Sequence, residues 1–184
     1  SLAAALGGQH LGAPAVASVA LFGCQVSRTH WPLKLPPVEW TGRLLLKRFG
    51  EVSGSRLKRG PEDEPAGVMI EAMRWNGLFG RFGEGKNDWW KGLAEVDVPL
   101  LAVSAAGDHQ DPDWACRKLF EQVGSEHRQY LCLGRQQGFT GDFGHVEMLV
   151  SKAAQTEVWP LVAQWLKDPL TPLSGAQAQV LATV

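Results

Sequence analysis

Two residues of this chain stand where an acid–base pair could form. Asp108 follows the apolar run Val98-Pro99-Leu100-Leu101-Ala102-Val103-Ser104 through the turn Ala106-Gly107-Asp108. His145 follows a second run, Gln129 to Leu133, through the glycine-rich loop Gly134 to Gly144. Both runs read as buried strands, and in an open α/β sheet functional groups gather in the loops beyond the carboxyl ends of the strands. Neighbouring strands would bring the carboxylate and the imidazole to one rim. A carboxylate beside an imidazole fixes its tautomer and stabilises the imidazolium, which makes the ring a general base able to activate a nucleophile.

The elements that must position this pair are legible in outline. Leu2 to His10 is Ala/Leu-rich and predicts a short helix, a turn follows at Gly12-Ala13-Pro14, and Val16 to Gly23 predicts a further buried strand. Residues 28–95 change character, with prolines, glycines and Trp31, Trp40, Trp75, Trp89 and Trp90. This stretch reads as an insertion with helices near Trp40 to Arg48 and Ala66 to Leu78 and a polar loop from Val52 to Pro65. Pro112 suits the first position of a helix capped by Asp111, with Ala115, Leu119, Phe120 and Val123 on one face. From His145 to Lys167 a long helical stretch carries Leu149, Ala153, Val158, Leu161, Val162, Trp165 and Leu166 inward, with Pro160 kinking or dividing it. Trp159 and Trp165 read as core, and the tail 169–184 shows no period. Strands alternating with helices imply a parallel sheet. Three strands are few for such a sheet, and the chain opens on Ser1, so further strands are expected on the N-terminal side.

Composition narrows the function. The chain has 184 residues, 45% hydrophobic and 20% charged, the balance of one globular domain with a sizeable core. Eighteen Lys and Arg against 19 Asp and Glu leave a net charge of −1, so nothing draws the chain globally to nucleic acid or an anionic membrane. No apolar run reaches the ~18 residues of a membrane-spanning helix, and no signal-like segment precedes the first elements. Cys24, Cys116 and Cys132 are too widely spaced for a disulfide framework or a zinc knuckle, read as small buried hydrophobes, and fit a reducing compartment, the cytoplasm.

Other signals are better explained by packing or solvation. Asp108, Asp111 and Asp113 do not fit a calcium loop. Gly80 to Asn87 satisfies G-x-x-x-x-G-K, yet Asn87 replaces the Ser or Thr that would hold magnesium and no buried strand precedes it, so a flexible loop is expected. His10, His30, His109 and His127 lack paired ligand spacing. Glu147 stands where the helix dipole favours a carboxylate and carries no assigned role. No metal site and no cofactor are expected.

The stretch Val98 to Pro112, with its small-residue turn, Asp108, and a Pro four residues on, together with the step Phe143-Gly144-His145-Val146-Glu147, resembles the C-terminal part of an α/β-hydrolase. The resemblance covers about residues 1–168. It implies an α/β fold, the C-terminal part of a parallel α/β-hydrolase sheet with an inserted helical cap. Residues 1–27 would be the core helix and strand after the nucleophile elbow, 28–95 the cap, 96–168 the core strands and helices bearing Asp108 and His145, and 169–184 a tail. It further implies a hydrolase acting on a small apolar ester or related acyl substrate, with Asp108 orienting His145 as general base and then general acid. The five tryptophans Trp31, Trp40, Trp75, Trp89 and Trp90 would either pack the cap or line an apolar acyl pocket.

The family's G-x-S-x-G elbow is absent from the chain. The elbow and the oxyanion loop are therefore expected upstream, on a longer chain or a companion N-terminal fragment, leaving this chain alone inactive. Ser1 is the alternative nucleophile, with Ala3 standing where the second glycine belongs. An Asp or Cys nucleophile, an acyltransferase, and a non-catalytic ligand-binding member or fragment remain open within the same fold.

Overall fold

A computed structural model describes residues 16–27, 31–52 and 64–173. The expected helix Leu2–His10, the turn after it, Ser1, His10, His30, most of the polar loop and most of the tail lie outside the described residues. In chain order the elements are β1 (Val19–Phe22), a 3-10 turn (Trp31–Lys34), α1 (Pro36–Phe49), β2 (Glu51–Val52), β3 (Glu64–Pro65) and α2 (Ala66–Asn76). Then come β4 (Gly83–Glu84), β5 (Asn87–Asp88), α3 (Trp89–Ala94), β6 (Leu100–Ala105), α4 (Asp113–Phe120), β7 (Arg128–Leu133), α5 (Glu147–Val150) and α6 (Trp159–Lys167). The chain divides into two compact units, Val26–Trp90 and the remainder.

The larger unit is α/β. Its sheet has the order β1-β6-β7 and both pairings are parallel, Phe22 opposite Val103 and Ala105 opposite Leu133. Every residue of β6 is buried, Ser104 among them, in keeping with a largely apolar strand covered on both faces. On one side Leu101, Val103, Leu131 and Leu133 join Met148, Val158 and Trp165 in the core. Ala115, Leu119 and Phe120 of α4 are buried as expected, and so is Cys116.

Two local expectations are corrected. Helix α4 begins at Asp113, with Pro112 in the cap position and no side-chain cap, so Asp111 lies one residue before the cap. The helical stretch after His145, expected to kink or divide at Pro160, is interrupted earlier, at Ser151, whose extended backbone ends α5 and whose Oγ accepts the Ala154 N–H at 3.0 Å. The chain then widens into a π-turn over Ala154–Val158 before Pro160 in the first turn of α6. A proline cannot donate to the ladder and its ring crowds the preceding carbonyls, and the wide turn accommodates it. Val158 and Trp165 face inward as expected. Met148 and Ala154 are buried, whereas Leu149, Leu166 and Trp159 are exposed, the Trp159 indole N–H donating to Leu149 O at 2.9 Å.

In the smaller unit α1 starts earlier than expected because Pro36 and Pro37 fill its first positions, where a missing N–H costs nothing. α1 packs against α2, with the Met73 methyl 2.7 Å from where a Cβ on Gly42 would stand. Residues 83–88 form a tight antiparallel hairpin, β4 with β5, turning through Gly85 at φ +56, in place of the expected flexible loop. Trp75, Phe82 and Trp89 pack edge to face with centroids 5.1–5.4 Å apart, and Trp90 lies 5.0 Å from Phe82.

A polar knot ties the larger unit's strands to α4. The Asp113 carboxylate accepts from Ser104 Oγ at 2.5 Å, Tyr130 OH at 2.9 Å and Arg117 Nε at 2.8 Å. Burial acts to raise the Asp113 carboxyl, but the bonds from Ser104, Arg117 and Tyr130 and the Arg117 charge outweigh it and hold it below its ordinary value. A carboxyl depressed on folding contributes stability above its unfolded value and loses it as pH falls through the lower folded value. Asp113→Asn should therefore cost about 1–2 kcal/mol at pH 7. In urea unfolding the gap from wild type should close as the pH drops below about 4.

Candidate active site

The carboxyl ends of β1, β6 and β7 lie at one edge of the sheet, and the loops leaving them build the site. After β6 the chain turns at once, Asp108 N–H donating to Ala105 O at 3.1 Å. The turn is met by the loop leaving β7: Gly107 N–H donates to Phe143 O at 3.0 Å and Ala106 N–H to Leu133 O at 2.9 Å. Only glycine allows this approach, because a Cβ on Gly107 would stand 2.9 Å from the carbonyl oxygens of Asp142 and Phe143. Phe139 and Phe143 anchor the loop in the core. Asp142 Oδ1 accepts the Arg135 N–H at 2.9 Å and Glu147 Oε2 accepts the Gly144 N–H at 2.9 Å, so the segment entering His145 is held from both sides.

These ties bring Asp108 and His145 together. His145 Nδ1 lies 2.8 Å from Asp108 Oδ2. A carboxylate accepts, so the contact assigns the hydrogen to Nδ1 and leaves the lone pair on Nε2. The Asp108 side chain has no exposure, and its other oxygen accepts the backbone N–H groups of Gln110 and Asp111, each at 2.8 Å. A buried carboxylate needs such donors. The imidazole is about one-third exposed, at 33%. No described side chain is hydrogen-bonded to Nε2.

Three further residues shape the ring's surroundings. Gly23, just after β1, has φ +53, and a Cβ on it would lie 3.0 Å from His145 Cε1 and Nδ1. Asp111 Oδ2 lies 3.6 Å from the same Nδ1, and Asp111 Oδ1 accepts Gln25 Nε2 at 2.9 Å. Sequence reasoning gave none of these a place in the site. Gly23 closing a buried strand was the available signal for a close approach, whereas Gln25 is 86 residues from its partner Asp111 and left no trace. Burial raises the Cys24 thiol, and burial with the nearby Asp111 and Asp108 charges raises Cys116, so both stay protonated thiols near neutral pH.

The strand, Asp, helix, strand, loop, His order on a parallel sheet matches the arrangement expected from the motifs. The fold is α/β, built on a parallel three-stranded sheet. A scan against protein-family models found no match, and a search of curated proteins found none. Two solved structures from Mycobacterium tuberculosis are similar, one from strain H37Rv described as a non-heme bromoperoxidase, BpoC, the other Rv0554. Each shows 13% identity and a TM-score of 0.44 over 87% of this chain. The chain covers 63% and 62% of those two, less than two thirds of their length.

The five tryptophans are placed differently from one another. Trp75, Trp89 and Trp90 belong to the aromatic cluster with Phe82, Trp40 on α1 is 69% exposed, and the Trp31 side chain lies outside the description. Among the described residues no group of three or more His, Cys, Asp or Glu side chains could hold a metal ion, and no helix is long and apolar enough to cross a membrane.

Gly23→Ala should cost about 1–2 kcal/mol from the left-handed backbone alone and push the imidazole off Asp108. Chemical denaturation reads the first effect. Loss of the downfield Nδ1–H proton resonance in the variant reads the second.

Proposed function

We propose that this chain is the acid-and-histidine part of a hydrolase acting on an apolar ester or related acyl substrate. The Asp108–His145 contact at 2.8 Å carries the reading. In it, His145 Nε2 takes the proton of a nucleophile, which attacks the acyl carbon. The imidazolium so formed is held against Asp108 and returns the proton to the leaving alcohol, and a water molecule repeats the cycle to release the acid. The nucleophile comes from outside the described residues, a serine on a strand–helix elbow in a companion or upstream segment, with Ser1 the alternative. Residues 28–95 are the proposed cap insertion, whose Trp31, Trp40, Trp75, Trp89 and Trp90 either pack it or offer apolar surface to the acyl group. Three free cysteines support a cytoplasmic location.

The test is hydrolysis of p-nitrophenyl esters of graded acyl length by the protein with its N-terminal segment in place. Asp108→Asn and His145→Ala should each lower kcat by about a thousandfold or more while the variants keep their fold by circular dichroism. Turnover that persists in His145→Ala would sink the proposal. The 184-residue chain by itself should be inactive, and activity abolished by Ser1→Ala would identify Ser1 as the nucleophile.

A further inference from the structure

His145 faces two carboxylates on one ring nitrogen. Asp108 Oδ2 is 2.8 Å from Nδ1 and Asp111 Oδ2 is 3.6 Å from it, the second too long for a hydrogen bond but within ion-pair reach. The two acids are held by different means. Asp108 is fixed by backbone donors of its own turn, whereas Asp111 is held by the side chain of Gln25, which arrives from the exit of β1. The Asp111 side chain is also more open, 24% exposed against none for Asp108. Cys24 and Cys116, which feel the charge of Asp111, are uncharged thiols. Among the described residues, Asp108 and Asp111 are the carboxylates within ion-pair reach of Nδ1.

We infer that Asp111 is a positioning residue for His145, a reserve acid held by Gln25 that keeps the imidazole in its Nδ1–H form when Asp108 is removed. The ring and the carboxylate need to close less than about 1 Å to make a direct hydrogen bond. Gln25 holds the Asp111 carboxylate from a neighbouring strand exit, a tie separate from the bond that the Asp111 backbone N–H makes to Asp108 Oδ1. The catalytic meaning of this arrangement rests on the function proposed above. The pairing itself does not.

The experiment is NMR of the chain carrying 15N-labelled histidine, because the two ring nitrogens report the tautomer directly and without substrate. Alanine is chosen at position 108 since an amide there would donate to Nδ1 and impose the wrong tautomer. In Asp108→Ala the Nδ1–H form should persist. In Asp108→Ala/Asp111→Asn and in Asp108→Ala/Gln25→Ala it should lose its preference. Asp111→Asn alone should leave it intact. If Asp108→Ala alone behaves like the double variants, or if the double variants keep the Nδ1–H form, the inference is wrong. Should Asp108→Ala not fold, the same comparison is made at reduced temperature in a stabilising osmolyte such as sucrose. In ester turnover by the protein with its N-terminal segment, Asp111→Asn should cost at least about tenfold more in the Asp108→Ala background than in wild type. A tautomer result as expected with no turnover in any form would remove the catalytic reading and leave the pairing. Turnover that depends on His145 together with a tautomer lost in Asp108→Ala would do the reverse.

Discussion

A carboxylate with no exposure has to be met by donors, and that requirement at Asp108 organises the edge of the sheet. Its three partners come from two places, the backbone of its own turn and the ring of His145. The turn supplies two N–H groups only if it folds back tightly after β6. The imidazole arrives only if the loop after β7 lies directly on that turn, which Gly107 permits. Removing any of the three donors would leave part of a charge buried without compensation, a loss of several kcal/mol in the worst case. The loop conformations therefore follow from the electrostatic demand of one side chain.

The parts of this arrangement that rest on near-neighbour pattern were legible in the sequence. Apolar runs ending in Ser104 and Leu133 marked two of the strands, and the small turn before Asp108 with the glycine before His145 marked where the pair would stand. The parts that rest on distant contacts were not. Asp111 before Pro112 is what a helix cap looks like locally, yet its oxygens are directed to Gln25 and His145, groups that only the folded sheet brings near. The break at Ser151 is of the same kind. Periodicity carries through it, yet with the extended backbone at Ser151 and the widened turn ahead of Pro160, Leu149 and Trp159 are exposed and Ala154 is buried.

The tryptophan-rich stretch shows a different limit on pattern reading. Density of aromatic residues in a segment rich in glycine and proline is compatible with packing and with ligand binding alike. Edge-to-face contacts among Trp75, Phe82 and Trp89 give the unit Val26–Trp90 an aromatic cluster of its own, and such contacts stabilise beyond the area they bury. With its two helices packed on one another as well, this unit has the means to hold its shape from within.

The Asp113 knot joins β6, α4 and β7 through side chains as well as through the ladder between the strands. Elements bound in this way open together, so their slowest amide protons exchange with solvent only when the whole unit unfolds. Asp108 sits on that slow-exchanging block, one turn beyond β6. His145 rides on a loop secured by two phenylalanines and a few single hydrogen bonds, with no strand ladder of its own. Deuterium would enter the imidazole's side of the pair long before the carboxylate's, and the two halves of one hydrogen bond would keep very different clocks.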